Sequence, residues 1–416
     1  MYDKVVRITA AFALLLIGTD AAAQDHTHDD TRRPWSIGAH AVGLLTHASP
    51  ATFRRDLTEV YFTQPNLFAR TSFVDGRFEA ATTINFEGLT LKRGELNAGA
   101  WGEGYIDRRH PHTYLHELIV TGRARAAGFD VSLTAGRGFA PFGSDDPMAR
   151  PFVKFPVNHH LAQVLERWML AAAVRRGPVV LEAGVFNGDE PTGPAEFGRI
   201  DRFGDSWSAR VTLLPVQGAE LFASYAFVDS PELALGGGLD QEKLHAGVRY
   251  EARLGDAMDV YGLIEWMRTA DVQFDERLDR NADVYVFRGF LAEAQLTRGE
   301  WRAAARFERA TRPEEERSGD PFRTPTPHVD IRIHGITRFT SIAAAAGREM
   351  TARGVRMEPF VEVVRSRAEP TVRPGLLTPN ELWGTDVLWS LSAGIRLGIG
   401  MNHTRMGRYG VARVSH

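Results

Sequence analysis

From about residue 35 onward the chain alternates apolar and polar side chains in short segments separated by turn-like gaps. Trp207, Ala209, Val211 and Leu213 alternate with Ser206, Ser208, Arg210 and Thr212. Leu244, Ala246, Val248 and Tyr250 alternate with Lys243, His245, Gly247, Arg249 and Glu251. Trp389, Leu391, Ala393, Ile395, Leu397 and Ile399 alternate with Ser390, Ser392, Gly394, Arg396 and Gly398. A strand turns successive side chains to opposite faces, so each segment has one apolar and one polar face. Segments of roughly ten residues with aromatics near their ends fit strands that cross a bilayer, apolar side to lipid and polar side to a wet interior.

The spacing predicts an all-β chain: a single transmembrane antiparallel β-barrel of about sixteen strands with long extracellular loops, over residues 35–416. The expected strands include 35–46, 66–74, 328–339, 357–365 and 388–400. Tight connections at Asp75-Gly76, Ala126-Ala127, Gly177-Pro178 and Arg298-Gly299 alternate with long ones at 47–65, 88–113, 137–167, 187–205, 229–242, 268–283, 310–327 and 366–387. Outer-membrane barrels have short periplasmic turns and longer outer loops, and this order places both termini on the periplasmic side. The connection 340–356 is long for a turn and is the one poor fit. A soluble sandwich or propeller would have to pack rows such as Arg302, Arg306 and Glu308, or Asp330, Arg332, His334 and Arg338, in a dry core, at a large desolvation cost.

The first residues point to the same compartment. Lys4 and Arg7 precede the apolar run 8–17, and Ala21-Ala22-Ala23 follows it, which reads as a secretory signal peptide over 1–23. Residues 24–34 are expected to form a short disordered mature N-terminus. The chain has no cysteine, so neither disulfides nor thiolate metal sites are available. With 49 Lys+Arg against 52 Asp+Glu, nothing suggests a nucleic-acid partner.

Mixed charges on the expected inner face, among them Arg210, Arg249, Arg302, Arg306, Arg332 and Arg338, suit a hydrated lumen for small hydrophilic solutes or ions. The 137–167 loop is too long for an idle connection and is the candidate constriction, by analogy of position with the third long loop of porins. Asp145, Asp146, Lys154, His159 and His160 would then face the pore. Asp107, His110, His112, His116 and Glu117 have the donor chemistry for Cu or Zn, although their spacing is not that of a known motif. Packing of that loop on the barrel rim explains the same residues without a metal. His26-Thr27-His28-Asp29-Asp30 has metal-scavenging composition too. A hydrolase site built on Asn158 and His159 lacks a serine at an evident spacing, so no enzyme is expected.

The runs Asp107-Arg108-Arg109-His110-Pro111-His112 and Leu115-His116-Glu117-Leu118 resemble a signature in uncharacterised Gram-negative outer-membrane β-barrels. Phe142 to Pro147, Phe155 to His160, Phe186-Asn187-Gly188 and the terminal Met406-Gly407-Arg408-Tyr409-Gly410 share that resemblance, and Pro141-Phe142-Gly143 is similar to an element of phosphate-selective-type porins. The resemblance implies an outer-membrane barrel in contact with lipid, inserted by the barrel-assembly machinery, and brings no site or substrate. Many such barrels end on an aromatic residue, whereas this chain runs on to His416, so an insertion signal would lie near Leu397 or Tyr409. Passive diffusion is the expected activity, in a possible homotrimer; metal binding or passage and a plugged structural barrel are the alternatives.

Overall fold

The computed structural model describes residues 35–52, 55–90, 113–144, 147–157, 161–191, 193–231, 233–255, 258–313, 336–372, 384–401 and 405–409. The expected signal peptide and mature N-terminus lie outside the described residues. The first arc of the wall comprises β1 (Trp35–Thr52), β2 (Arg55–Phe73), β3 (Phe78–Asn85), β4 (Leu115–Ala126), β5 (Phe129–Gly138) and β6 (Arg167–Arg176). It continues through β7 (Val179–Phe186), β8 (Ser206–Leu213), β9 (Ala219–Val228), β10 (Asp240–Leu254), β11 (Met258–Asp275) and β12 (Arg280–Arg298). Finally come β13 (Trp301–Pro313), β14 (Ile336–Arg348), β15 (Met350–Ala352), β16 (Val355–Val372) and β17 (Val387–Gly400).

Each segment pairs antiparallel with its sequence neighbours, and β1 pairs with both β2 and β17, so the sheet closes on itself. Segments β14 and β15 both pair with β16 and form one stave broken at Glu349, whose N–H donates to the Glu300 carbonyl at 2.7 Å. The described wall is therefore a closed barrel of sixteen antiparallel staves. Closure leaves no free sheet edge, which is what hydrocarbon demands of a spanning sheet. Among the described residues no helix is long and apolar enough to cross a membrane; the strands do the crossing.

Three differences from the sequence reading share one cause. Of the expected strand 328–339, residues 328–335 lie outside the described residues and 336–339 open β14, which runs on to Arg348, and a tight turn at Arg353-Gly354, both at positive φ, replaces the long connection expected over 340–356. Burial alternates along Ser341 to Gly347, but the run Ala343 to Ala346 has no hydropathy contrast with which to show it. The expected loops 47–65 and 268–283 are almost wholly strand, since β1–β2 and β11–β12 are hairpins of 18 and 19 residues per arm. Where these hairpins extend past the lipid-facing stretch, no face is required to be apolar, and the alternation fades.

Burial fixes the orientation of the wall. Leu181, Ile264, Ile342 and Leu391 stand on the outer face and are 52–57% exposed. Glu182, Glu265, Ser341 and Ser390, their chain neighbours, are buried on the inner face. A belt of exposed apolar side chains around a closed barrel is stable only against lipid. An arginine placed at Ile264 should lower unfolding stability in lipid by about 2–4 kcal/mol. One placed at Gln295, which is on the inner face, should change it by within about 1 kcal/mol; urea titration in lipid vesicles measures both.

Candidate functional site

After β5 the chain turns into the barrel. Gly143 makes that turn at φ +73°, where an added Cβ would fall 1.8 Å from the Ala162 carbonyl oxygen, so the position needs glycine for both conformation and space. The Ala140 N–H donates to the Val164 carbonyl at 3.0 Å and ties the outgoing limb to the returning one.

Between these limbs the segment is held by side chains of the wall. The Val153 and Lys154 N–H groups donate to the two oxygens of Glu362 at 2.9 and 3.0 Å, and the Val157 N–H donates to Glu308 at 2.9 Å. Arg306 donates to the Lys154 carbonyl at 3.0 Å and Arg396 to the Pro151 carbonyl at 2.5 Å. Ser144 and Arg150 donate to Glu265 at 2.5 and 3.0 Å, and His245 completes that carboxylate's shell at 3.0 Å. On the return, Thr269 reaches the Leu161 carbonyl at 3.2 Å and Lys243 the Gln163 carbonyl at 3.3 Å. Asn66 donates to the Met148 sulfur at 3.2 Å. These anchors stand on β2, β10, β11, β13, β16 and β17, so the loop crosses the lumen and touches the wall on several sides.

Apolar contacts follow the same path. Phe152 packs with Ala304, Ala343, Ala345 and Val364; Val153 packs with Val42, Leu44 and Phe360; Val157 packs with Ala310, Phe339, Ala368 and Leu388. The barrel interior therefore contains an apolar core between loop and wall, with buried carboxylates that accept hydrogen bonds from backbone amides and guanidinium groups. Such groups are tolerable in a low-dielectric setting only when partnered in this way.

A second segment enters from the other end. Past β17 the Met401 N–H bonds to the Ile37 carbonyl at 3.1 Å, and residues 405–409 lie in the lumen. Arg405 clamps Glu220 through two bonds of 2.5 and 2.8 Å, and Arg408 bonds the same carboxylate. Arg210 holds Glu182 at 2.7 and 2.9 Å and also donates to the Gly407 carbonyl. The Tyr409 N–H donates to Glu182 at 2.8 Å and its hydroxyl to the Phe139 carbonyl at 2.6 Å. Met406 packs with Phe139, Met148, Phe155 and Leu165. The tail thus braces the base of the inner loop.

The rim is fastened separately. His116 Nδ1 and Glu166 Oε1 are 2.5 Å apart, and the Thr113 N–H donates to the same carboxylate at 3.1 Å. Arg137 stands on the outer-facing register of β5 yet is fully buried: it donates to the Leu115 carbonyl at 2.9 Å, the Thr113 hydroxyl at 3.0 Å and the carbonyls of Glu196 and Phe197. The connection after β7 therefore folds over this side of the rim.

Of the residues singled out in the sequence, Arg210, Arg249, Arg302 and Arg306 stand on the inner face, and Lys154 is buried on the inner loop. Arg338 shares a face with Thr340 and Ile342, the outer one, which corrects its expected inward placement: Ile342, which fixes the face, lies beyond the strand expected at 328–339. His116 is engaged with Glu166, and Glu117 is buried on the inner register of β4. Asp107, His110, His112, Asp145, Asp146, His159, His160 and Arg332 lie outside the described residues. Among the described residues no group of three or more His, Cys, Asp or Glu could hold a metal ion. Sequence reasoning missed the structural parts played by Glu166, Arg405 and Arg408. The Met-Gly-Arg-Tyr-Gly run stood out in the sequence, but nothing in its pattern says that it enters the lumen.

No known protein-family profile matches the chain, and no curated protein matches it in sequence. In structure it is similar to Salmonella typhi OmpF, solved in complex with daunomycin, with a TM-score of 0.52 at 12% identity over 88% of this chain and 97% of that one. It also aligns with an anion-selective porin from Comamonas acidovorans, with a TM-score of 0.49 at 9% identity over 88% and 99% of the two chains. The fold shared with OmpF is that of the porin-like outer-membrane barrel.

Removing the Glu362 carboxylate should strand two buried amide donors, at a cost of about 1–3 kcal/mol for each unmet donor. Glu362→Ala is expected to leave the barrel folded, by its heat-dependent gel mobility, while proteolysis near residues 150–157 becomes several times faster than in the wild type.

Proposed function

We propose that the chain is a porin-like channel for passive diffusion of small hydrophilic solutes or ions, with the 137–167 loop setting the width of the path. The observation that carries this reading is the loop's anchoring inside the lumen, by the carboxylates of Glu265, Glu308 and Glu362 and by Arg306 and Arg396. A loop held at both limbs and along its middle narrows a barrel permanently. Diffusion needs no further chemistry: a hydrated path, a fixed bore and charges that set which ions enter.

The apolar packing between loop and wall supports a second reading, a barrel closed by its own loop and tail and serving structure at the cell surface. Single-channel recording in planar bilayers separates the two. The wild-type protein should show small, stable conductance steps, and deletion of residues 144–160 should enlarge them several-fold while the barrel still shifts on heating in gels. Steps of unchanged size would remove the loop from the constriction; a folded, silent wild-type barrel would favour the plugged reading.

A further inference from the structure

The charges of the lumen are not evenly mixed along its axis. Near the short-turn end, three carboxylates are each shared by two or more guanidinium groups. Glu79 lies 3.5 Å from Arg70 and 3.4 Å from Arg123. Glu358 bonds Arg302 and lies 3.3 Å from Arg396. Glu220 takes Arg405 and Arg408 and lies 4.0 Å from Arg249, which also bonds Glu251. These three clusters are spread around the wall on β2–β4, on β9–β10 with the tail, and on β13, β16 and β17.

The acids deeper in the lumen are differently placed. Glu265, Glu293, Glu308 and Glu362 are at most 4% exposed and face the inner loop. Their charge is spent on the loop's donors and turned away from water. The guanidinium groups of the lower clusters differ in access: the side chains of Arg70, Arg123 and Arg405 are 21%, 38% and 26% exposed, those of Arg302 and Arg396 12% and 14%, and those of Arg249 and Arg408 9% and 3%, while the acids that they share are at most 13% exposed. Among the described residues, what an ion meets in these three clusters is therefore an excess of arginine over carboxylate, with Glu251, 24% exposed, the most accessible of their acids. Arginine stays charged at any physiological pH and presents several donors at once to a carboxylate, phosphate or halide. Low-dielectric walls focus such a field along a narrow path.

Resting on the reading of the chain as a channel, we infer that the periplasmic half of the lumen is an anion vestibule, which makes the channel prefer small anions over cations. The sharing of each acid by several arginines makes the prediction directional. Glu79→Gln removes the acid shared by Arg70 and Arg123 and should raise the preference; loss of arginines should lower it.

Reversal potentials in planar bilayers under a potassium chloride gradient read this directly. The wild-type channel should favour chloride, less so as salt rises and the field is screened. The fourfold variant Arg70→Gln, Arg123→Gln, Arg302→Gln and Arg405→Gln should reduce the chloride-to-potassium permeability ratio by roughly threefold or more, and Glu79→Gln should increase it. Heat-dependent gel mobility establishes that each variant is folded; if the fourfold variant does not fold, Glu79→Gln and Arg123→Gln alone still move the ratio in opposite directions. A conducting wild-type channel that favours potassium, or variants that leave the ratio unchanged, would overturn this inference while leaving the channel intact. A folded wild-type barrel that never conducts would overturn the channel reading itself, and the vestibule with it.

Discussion

A carboxylate on the inner wall of a barrel has no backbone partner, because the wall's own amides are consumed by the sheet ladder. The rest of the interior depends on how that deficit is met. Glu362 and Glu308 are met by the backbone N–H groups of Val153, Lys154 and Val157, and Glu265 by Ser144, Arg150 and His245. The exchange is mutual: an inward loop without regular structure carries amides that also need acceptors, and water is largely excluded where it packs. Each side supplies what the other lacks, and the loop is fixed in place as a consequence.

That arrangement divides the lumen into two chemical levels. Where the loop crosses, acids are buried and hydrogen-bonded, and apolar side chains such as Phe152 and Val157 fill the gaps between loop and wall. Toward the short turns the chain's own tail enters, and arginines outnumber the acids they share. Tyr409 joins the levels, with its amide on Glu182 of the wall and its hydroxyl on Phe139 at the root of the loop. A barrel filled in this way is a narrow conduit or a closed one. Its outer surface, by contrast, is ordinary for a lipid-facing barrel.

The wall was legible in the sequence and its contents were not. Alternation over 206–213 and 387–400 reports the lipid face directly, because every second residue must be apolar there. It failed at Ala343 to Ala346, where both faces carry the same small side chain, and in the long β1–β2 and β11–β12 hairpins, where the lipid requirement lapses. The length of the 137–167 loop made it the candidate constriction, and Lys154, expected to face the pore, is buried. Its anchors could not be read, since Glu362 and Tyr409 are separated from their partners by more than 200 residues and no local pattern records such a pairing. Arg137 is instructive in the other sense: on the outer register of its strand, it is buried by a connection that periodicity takes no account of.

The most direct test of this account is amide hydrogen exchange of the folded protein in lipid, followed over residues 150–157. If buried carboxylates fix the loop in the lumen, the Val153, Lys154 and Val157 amides exchange as slowly as those of the flanking strands, and Glu362→Gln speeds the first two. Exchange as fast as in freely solvated backbone, unchanged by Glu362→Gln, would contradict it.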